Sequence, residues 1–412
     1  MNIDKIRELL PRVGTPSYIF DLDVFEKRAQ LVKKYFGDTI GLCFSIKANP
    51  FLLGRLPAVF DKIEVCSPGE LAVCERTNAD MSAVIFSGVN KGYADVERAA
   101  DDNVGTFTAE SPLHLELIND AANRRGKVLD LLLRVTDIKG GSQFGMSEDV
   151  TLDIIRRREE YPGVNIVGLH YFTGTAKRKA KPIEKECDYL IDLTARIKND
   201  LGFTVERIEY GTGLAVDYFS ETADADEEER LASIAPKLQE LAQAAALTVE
   251  MGRFFAAPCG YYLTKVVDTK TNFDINYAIV DGGMNQLKYN GQLQGMQIPE
   301  ILHIPIESSS RTPLTGCGDL NRCEQALGEK QPWTLCGSIC TTADVLARGA
   351  MFTDLRIGDI LVFCRSGAYS CMEGISTFLS REMPVIAEYS EKEGLRILRE
   401  MLFSDVFNTP KR

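Results

Sequence analysis

Four side chains in this sequence could work on a carbonyl and an anion if the fold gathered them: Lys47, His170, Glu250 and Arg253. Lys47 ends the apolar run in FSIKANP. Loss of water there disfavours the ammonium form and frees the amine as a nucleophile toward an aldehyde. A strand-end lysine that runs its stem out to solvent is the competing reading. Glu250, in TVEMGR, is either half of a buried ion pair or a carboxylate that keeps a pyridine nitrogen protonated and so preserves an electron sink. His170, in GLHYF, reads equally well as a packed rim histidine. Gly211-Thr212-Gly213 and Gly252-Arg253 add open turns and a permanent cation, which suit phosphate oxygens. An amine, a histidine, a glycine-rich turn and a Glu–Arg pair are what an aldehyde cofactor bearing a phosphate would need.

Such a set must be positioned by strands. Eight short apolar runs lie between residues 40 and 253: IGLCFSIKA, KIEVCS, SAVIFSG, GTFTA, LDLLLRV, NIVGLHYF, RIEYGTG and LTVEMGR. Consecutive apolar positions are the pattern of parallel strands covered on both faces. Helical patterns separate them. Asp23 with Glu26 suggests a capping box for VFEKRAQLVKKYF, and PIEKECDYLIDLTARIKNDLG carries one apolar face with Gly202 as its stop. Eight strand–helix pairs predict an α/β fold built on a (β/α)8 barrel, whose chemistry collects at the C-terminal strand ends. Those ends read Lys47, Glu64 to Ser67, Gly88 to Lys91, Arg134, His170, Gly211 to Gly213, and Glu250 to Arg253. The acidic run Asp224 to Glu229 reads as a solvated helix start.

Beyond residue 260 the pattern shifts to YYLTKVV, INYAIVDGG, ILHIPI, PWTLCG, DILVFC and PVIAEYS, strands separated by turns. The early segment PSYIFD reads as a further strand that could join them. The expected division is a barrel over 24–260 and a mostly antiparallel β-domain made of 1–23 with 261–412. Ser308 to Lys330 is polar and glycine-containing, long enough for a functional or mobile loop.

Composition narrows the class. The chain has 412 residues, 45% hydrophobic and 26% charged, an ordinary globular balance. Its charge of 47 − 59 = −12 argues against a nucleic-acid or anionic-membrane binder. No apolar stretch reaches the ~18 residues of a membrane span, and the start is charged rather than signal-like, so a cytoplasmic protein is expected. Cysteines are odd in number and lack any C-x-x-C pair, which points to reduced thiols; with scattered histidines, no metal is expected.

Taken in order, these segments resemble the fold-type III pyridoxal-phosphate decarboxylases, the family of diaminopimelate, ornithine and arginine decarboxylases. FSIKANP, EVCSPGEL, GLHYFTGT, EYGTGL, EMGR, VDGGMN, GSICTTAD and GDILVFCRSGAYS carry the resemblance across nearly the whole chain. The resemblance implies pyridoxal 5'-phosphate as cofactor, bonded through Lys47, with His170 against its ring and Glu250 at its pyridinium nitrogen. It further implies Gly213, Gly252, Arg253 and Tyr369 at the phosphate, Arg134 beside the cofactor, and Cys340 as proton donor. A homodimer with shared active sites is implied too, each Cys340 reaching the partner's barrel.

Departures from the pattern bear on substrate. Thr212 and Ala215 replace glycines common in the phosphate turn. Thr341 and Thr342 follow Cys340 where relatives carry a carboxylate for a distal ammonium, and Lys288-Tyr289 stand where an arginine would hold a distal carboxylate. Thr341, Tyr289 and Lys288 are therefore the expected substrate contacts. Losing both charges disfavours diaminopimelate, since sites built on polar partners discriminate strongly. QFGM and HYFTGT resemble a natural-product branch typified by a decarboxylase of acyl-carrier-protein-bound glutamate. The expected substrate is thus a free amino acid or a carrier-tethered aminoacyl group. Lys177, Arg178, Lys179 and Lys181 could steer such a carrier, or be a solvated basic loop. Lysine-pathway diaminopimelate decarboxylation and amino-acid racemisation stay as alternatives; a non-catalytic cofactor carrier is disfavoured by the β-domain.

Overall fold

Runs of consecutive apolar residues produce eight parallel strands: β1 (Gly41–Ser45), β2 (Lys62–Val65), β3 (Val84–Phe86), β4 (Thr106–Ala109), β5 (Leu129–Thr136), β6 (Val164–Tyr171), β7 (Arg207–Gly211) and β8 (Ala246–Met251). The computed structural model describes residues 1–137, 142–306 and 329–411. Neighbouring strands pair in chain order and β8 pairs with β1, closing the barrel without a free edge. Its C-terminal rim carries every barrel residue singled out from the sequence.

The helix expected after PSYIFD spans Leu22–Phe36, but its cap is Asp21 rather than Asp23. The Asp21 carboxylate, at the end of its strand, accepts the amides of Asp23 and Val24, both at 3.1 Å. Asp23 instead accepts the Glu391 amide at 2.7 Å. The acidic run starting the helix Ala223–Leu241 is not wholly solvated either. Glu227 is fully buried and paired with Arg28.

The chain divides into one unit of residues 26–217 with 224–255, which holds the barrel, and a second of 1–25, 218–223 and 256–412. Compared with the expected division, the boundaries shift by a few residues and 218–223 join the second unit. There, Ser17–Asp21 pairs antiparallel with Gly260–Asn272 and parallel with Val385–Ser390. The other pairings of this sheet are antiparallel, except that Ile275–Val280 runs parallel to Gln331–Cys336. Strands Val345–Phe352 and Gly394–Arg399 were not legible in advance. Ile19, Leu263, Val362 and Ala387 form the sheet's core with Ile6, Leu9 and Val13 of the first helix. The segment 308–330 lies outside the described residues except Glu329 and Lys330. Among the described residues no helix is long and apolar enough to cross a membrane.

Leu263 is fully buried. Leu263→Ala should cost about 2–5 kcal/mol, read as an earlier urea midpoint. Leu293→Ala, at an exposed position, should stay within about 0.5 kcal/mol of the parent.

Candidate active site

Lys47 leaves β1 in a single 3-10 turn, Ile46–Ala48, which lifts its amine over the barrel mouth. Its Nζ donates to Glu64 Oε2 at 2.7 Å and lies 3.6 Å from Glu250 Oε1. Cys66 Sγ is 3.3 Å from the same nitrogen and donates to Glu64 Oε1 at 3.0 Å. Glu250 also accepts the Ser45 hydroxyl at 2.8 Å, and His170 Nε2 lies 3.2 Å from its second oxygen. Strands β1, β2, β6 and β8 thus deliver an amine, two buried carboxylates and an imidazole to one place.

Burial alone would push Glu250 up, but Lys47 and His170 overcome it and hold the carboxyl well below the usual range. Glu209, on β7, is 2% exposed and lies beside the buried Cys43 thiol. Burial first, and then the charges of Glu250 and Glu64, push it well up. Environment thus drives the two carboxyls in opposite directions, Glu250 toward its charged form and Glu209 toward its neutral one. Burial and the Glu64 charge likewise raise the Cys66 thiol.

The glycine turn after β7 is closely covered. Gly213 has φ +63°, and a Cβ there would sit 1.9 Å from the Gly174 carbonyl oxygen; one on Gly211 would strike the Phe172 ring at 2.5 Å. Thr212 is buried and its hydroxyl oxygen accepts the Leu214 amide at 3.3 Å. Gly252 and Arg253 follow β8, where Arg253 opens the short helix Arg253–Ala256. Arg134 is buried, donates to Glu110 at 2.9 Å, and reaches the Phe172 carbonyl at 3.5 Å.

The other expected site residues lie in the second unit. Cys340 and Thr341 are exposed on a turn held by Asp344, whose carboxylate accepts the amides of Met284 and Ile339 at 2.7 and 2.8 Å. Lys288 pairs with Glu373 at 3.2 Å. Tyr289 is 2% exposed and donates its hydroxyl to the Cys364 carbonyl at 2.6 Å. Tyr369 is half-buried with φ +64°.

Several groups had no assigned role in the sequence. Glu64, Glu209 and Glu110 belong to or follow apolar strands, and a charge in such a run signals a buried partner. Lys91 is 4% exposed, donates to the Ser87 and Gly88 carbonyls at 2.7 and 2.8 Å, and burial draws it down to about 8.

The pyridoxal-binding domain of the pyridoxal-dependent decarboxylases matches residues 22–257. The chain belongs to this family. The decarboxylase is 27% identical to the L-glutamyl-[BtrI acyl-carrier protein] decarboxylase of Niallia circulans, over 93% of this chain and 91% of that one. It is 28% identical to the diaminopimelate decarboxylase of Haemophilus influenzae, covering 88% and 86%. Solved diaminopimelate decarboxylases share the fold: that of Helicobacter pylori with a TM-score of 0.81 at 22% identity, covering 98% of both chains, and that of M. jannaschii with 0.80 at 21%, covering 96% and 92%. The enzyme is a carboxy-lyase and its cofactor is pyridoxal 5'-phosphate. The barrel mouth fits that cofactor: the amine of Lys47 suits an aldehyde, the ionised Glu250 a pyridinium, and the bare glycine turn a phosphate.

Because the Glu209 carboxyl is raised in the fold, it contributes stability at pH below its unfolded value near 4.5, and that contribution is lost as pH rises through the folded value. Glu209→Gln, which is neutral throughout, should flatten the fall in melting temperature as pH rises above about 4.5. At the alkaline end the variant should melt about 2–4 °C above the parent. A steeper fall would contradict the assignment.

Proposed function

We propose that this enzyme removes the α-carboxylate of an aminoacyl substrate, with Lys47 bonding the cofactor through its amine. The observation that carries this is the Lys47 amine held 2.7 Å from Glu64 and 3.6 Å from Glu250, with His170 on the far oxygen of Glu250. When bound, the cofactor supplies an electron sink for the pair left behind as carbon dioxide departs. Glu64 and Glu250 hold the Lys47 amine in place over the barrel mouth, where it would meet the cofactor's aldehyde. Glu250 would keep a pyridine nitrogen protonated, and His170, 3.2 Å from its second oxygen, would orient it and flank the cofactor. Gly213, Gly252, Arg253 and Tyr369 hold the phosphate. Arg134 acts more indirectly, bracing the Phe172 backbone from Glu110. Cys340 returns a proton to the carbon that has lost its carboxylate.

For the substrate, Thr341 is the contact we retain. It is exposed beside Cys340, and a neutral hydroxyl does not give a distal ammonium the charge-assisted bond of a carboxylate. Lys288 and Tyr289 are assigned a framing role, being engaged by Glu373 and the Cys364 carbonyl. Likeness to the glutamyl-carrier enzyme supports a carrier-tethered aminoacyl group, or an anionic amino acid, over diaminopimelate. We further infer a homodimer in which Cys340 serves the partner's barrel. Exposed Phe378, Leu379, Phe403, Val406 and Phe407 in the second unit support such an interface. Nine described cysteines are free, in keeping with a reducing cytoplasm.

Carbon dioxide release should be measured from a glutamyl-carrier thioester, free glutamate and meso-diaminopimelate, with product chirality followed in parallel. Diaminopimelate should be the poorer substrate by about 100-fold or more. Lys47→Ala should abolish both the visible absorbance of bound cofactor and carbon dioxide release, and Cys340→Ala should retain the absorbance while losing turnover. Retained absorbance and turnover in Lys47→Ala would overturn the reading; efficient diaminopimelate turnover would overturn the substrate assignment.

A further inference from the structure

The basic run after β6 does not present all its cations outward. Lys177 is only 11% exposed, and its Nζ lies 2.8 and 2.7 Å from the two oxygens of Glu186, itself 13% exposed. Glu186 stands on the helix Ala180–Leu201. It also accepts the Thr173 hydroxyl on one oxygen and, at 2.5 Å, the Tyr210 hydroxyl on the other. One carboxylate therefore gathers donors from β7 and from two points of the loop that follows β6. None of these partners belongs to the Lys47–Glu64–Glu250 cluster.

That loop runs directly along the glycine turn. The Lys177 amide donates to the Gly213 carbonyl at 2.9 Å, and the Ala215 amide to the Lys177 carbonyl at 3.0 Å. Gly174 and Phe172 are the groups that exclude a side chain at Gly213 and Gly211. The far end is fastened as well. Asp217 pairs with Arg178 and Arg230, and Arg230 also donates to the Ala215 carbonyl at 3.3 Å. Two of the four clustered cations, Lys177 and the more exposed Arg178, thus close a frame around the turn, while Lys179 and Lys181 stay exposed.

We infer that Glu186 is a positioning residue for the cofactor's phosphate: by drawing Thr173, Lys177 and Tyr210 together, it holds the 172–177 loop as the outer wall of the Gly211–Gly213 turn. This rests on the reading that the turn holds the phosphate. Charge-assisted bonds to one half-buried carboxylate set the wall's distance from the turn, and removing the carboxylate lets the wall drift. The consequence falls on the phosphate end, not on the amine.

Pyridoxal phosphate and pyridoxal, which lacks the phosphate, separate the two ends. Apo forms of the parent, Glu186→Ala, Glu186→Gln and Gly213→Ala would be titrated with each, following visible absorbance, with phosphorus NMR of the bound phosphate. Glu186→Ala should weaken pyridoxal phosphate about 10-fold or more and shift the phosphorus resonance, leaving pyridoxal within about 2-fold. Glu186→Gln should fall between. If Glu186→Ala does not fold, Thr173→Val and Tyr210→Phe, each removing one donor, should show smaller losses with the same phosphate selectivity. Equal weakening of both ligands, or unchanged binding of both, would overturn the inference. Unchanged phosphate binding in Glu186→Ala with weakened binding in Gly213→Ala would overturn it alone. Unchanged binding in Gly213→Ala would overturn the phosphate reading and this inference with it.

Discussion

An amine kept beside carboxylates in a largely buried mouth is the constraint on which the rest of the barrel depends. Lys47, its side chain 35% exposed, has Glu64 and Glu250 as counter-charges at 2.7 and 3.6 Å. That distance is a property of strand order. β1 and β2 are neighbours, and barrel closure makes β8 the other neighbour of β1, so carboxylates flank the lysine from both sides. An open sheet with the same strands would leave Glu250 at the opposite edge. Ser45 and His170 then fix the direction in which Glu250 faces.

The same crowding divides the acids by role. Glu250 has a lysine, a hydroxyl and an imidazole, which favour its charged form; Glu209, one strand away and buried beside the Cys43 thiol, is pushed toward its neutral form. Like charges repel, so a rise at Glu209 eases the repulsion between the two. The glycine turn after β7 follows a comparable economy, since its glycines are demanded by the loop that crosses them rather than by the turn's own conformation alone. Glycine there is a packing requirement.

In the second unit the turn carrying Cys340 is organised by a single acid. Asp344 spans the amides of Met284 and Ile339, so the segment carrying Cys340 and the segment carrying Lys288 share one anchor. Burial raises Asp344, while those two amides work the other way and favour its charged form. The exposed thiol at Cys340 therefore sits on a rigid base, although its own side chain is open to solvent.

The amino-acid sequence by itself determined the eight barrel strands, their closure into a (β/α)8 architecture, and the rim residues Lys47, His170, Glu250 and Arg253. Strands covered on both faces leave continuous apolar runs, and a charge ending such a run is conspicuous. Strand content beyond residue 260 was less legible: Val345–Phe352 and Gly394–Arg399 are defined by partners far away in the chain. Only the tertiary structure decided who faces whom. It set Glu64 rather than solvent against Lys47, Asp21 rather than Asp23 at a helix start, Arg28 against the buried Glu227, and Glu186 against Lys177. Residue type and spacing declare that a charge exists, but the identity of its counter-charge is a matter of distance across the fold, which local pattern does not encode.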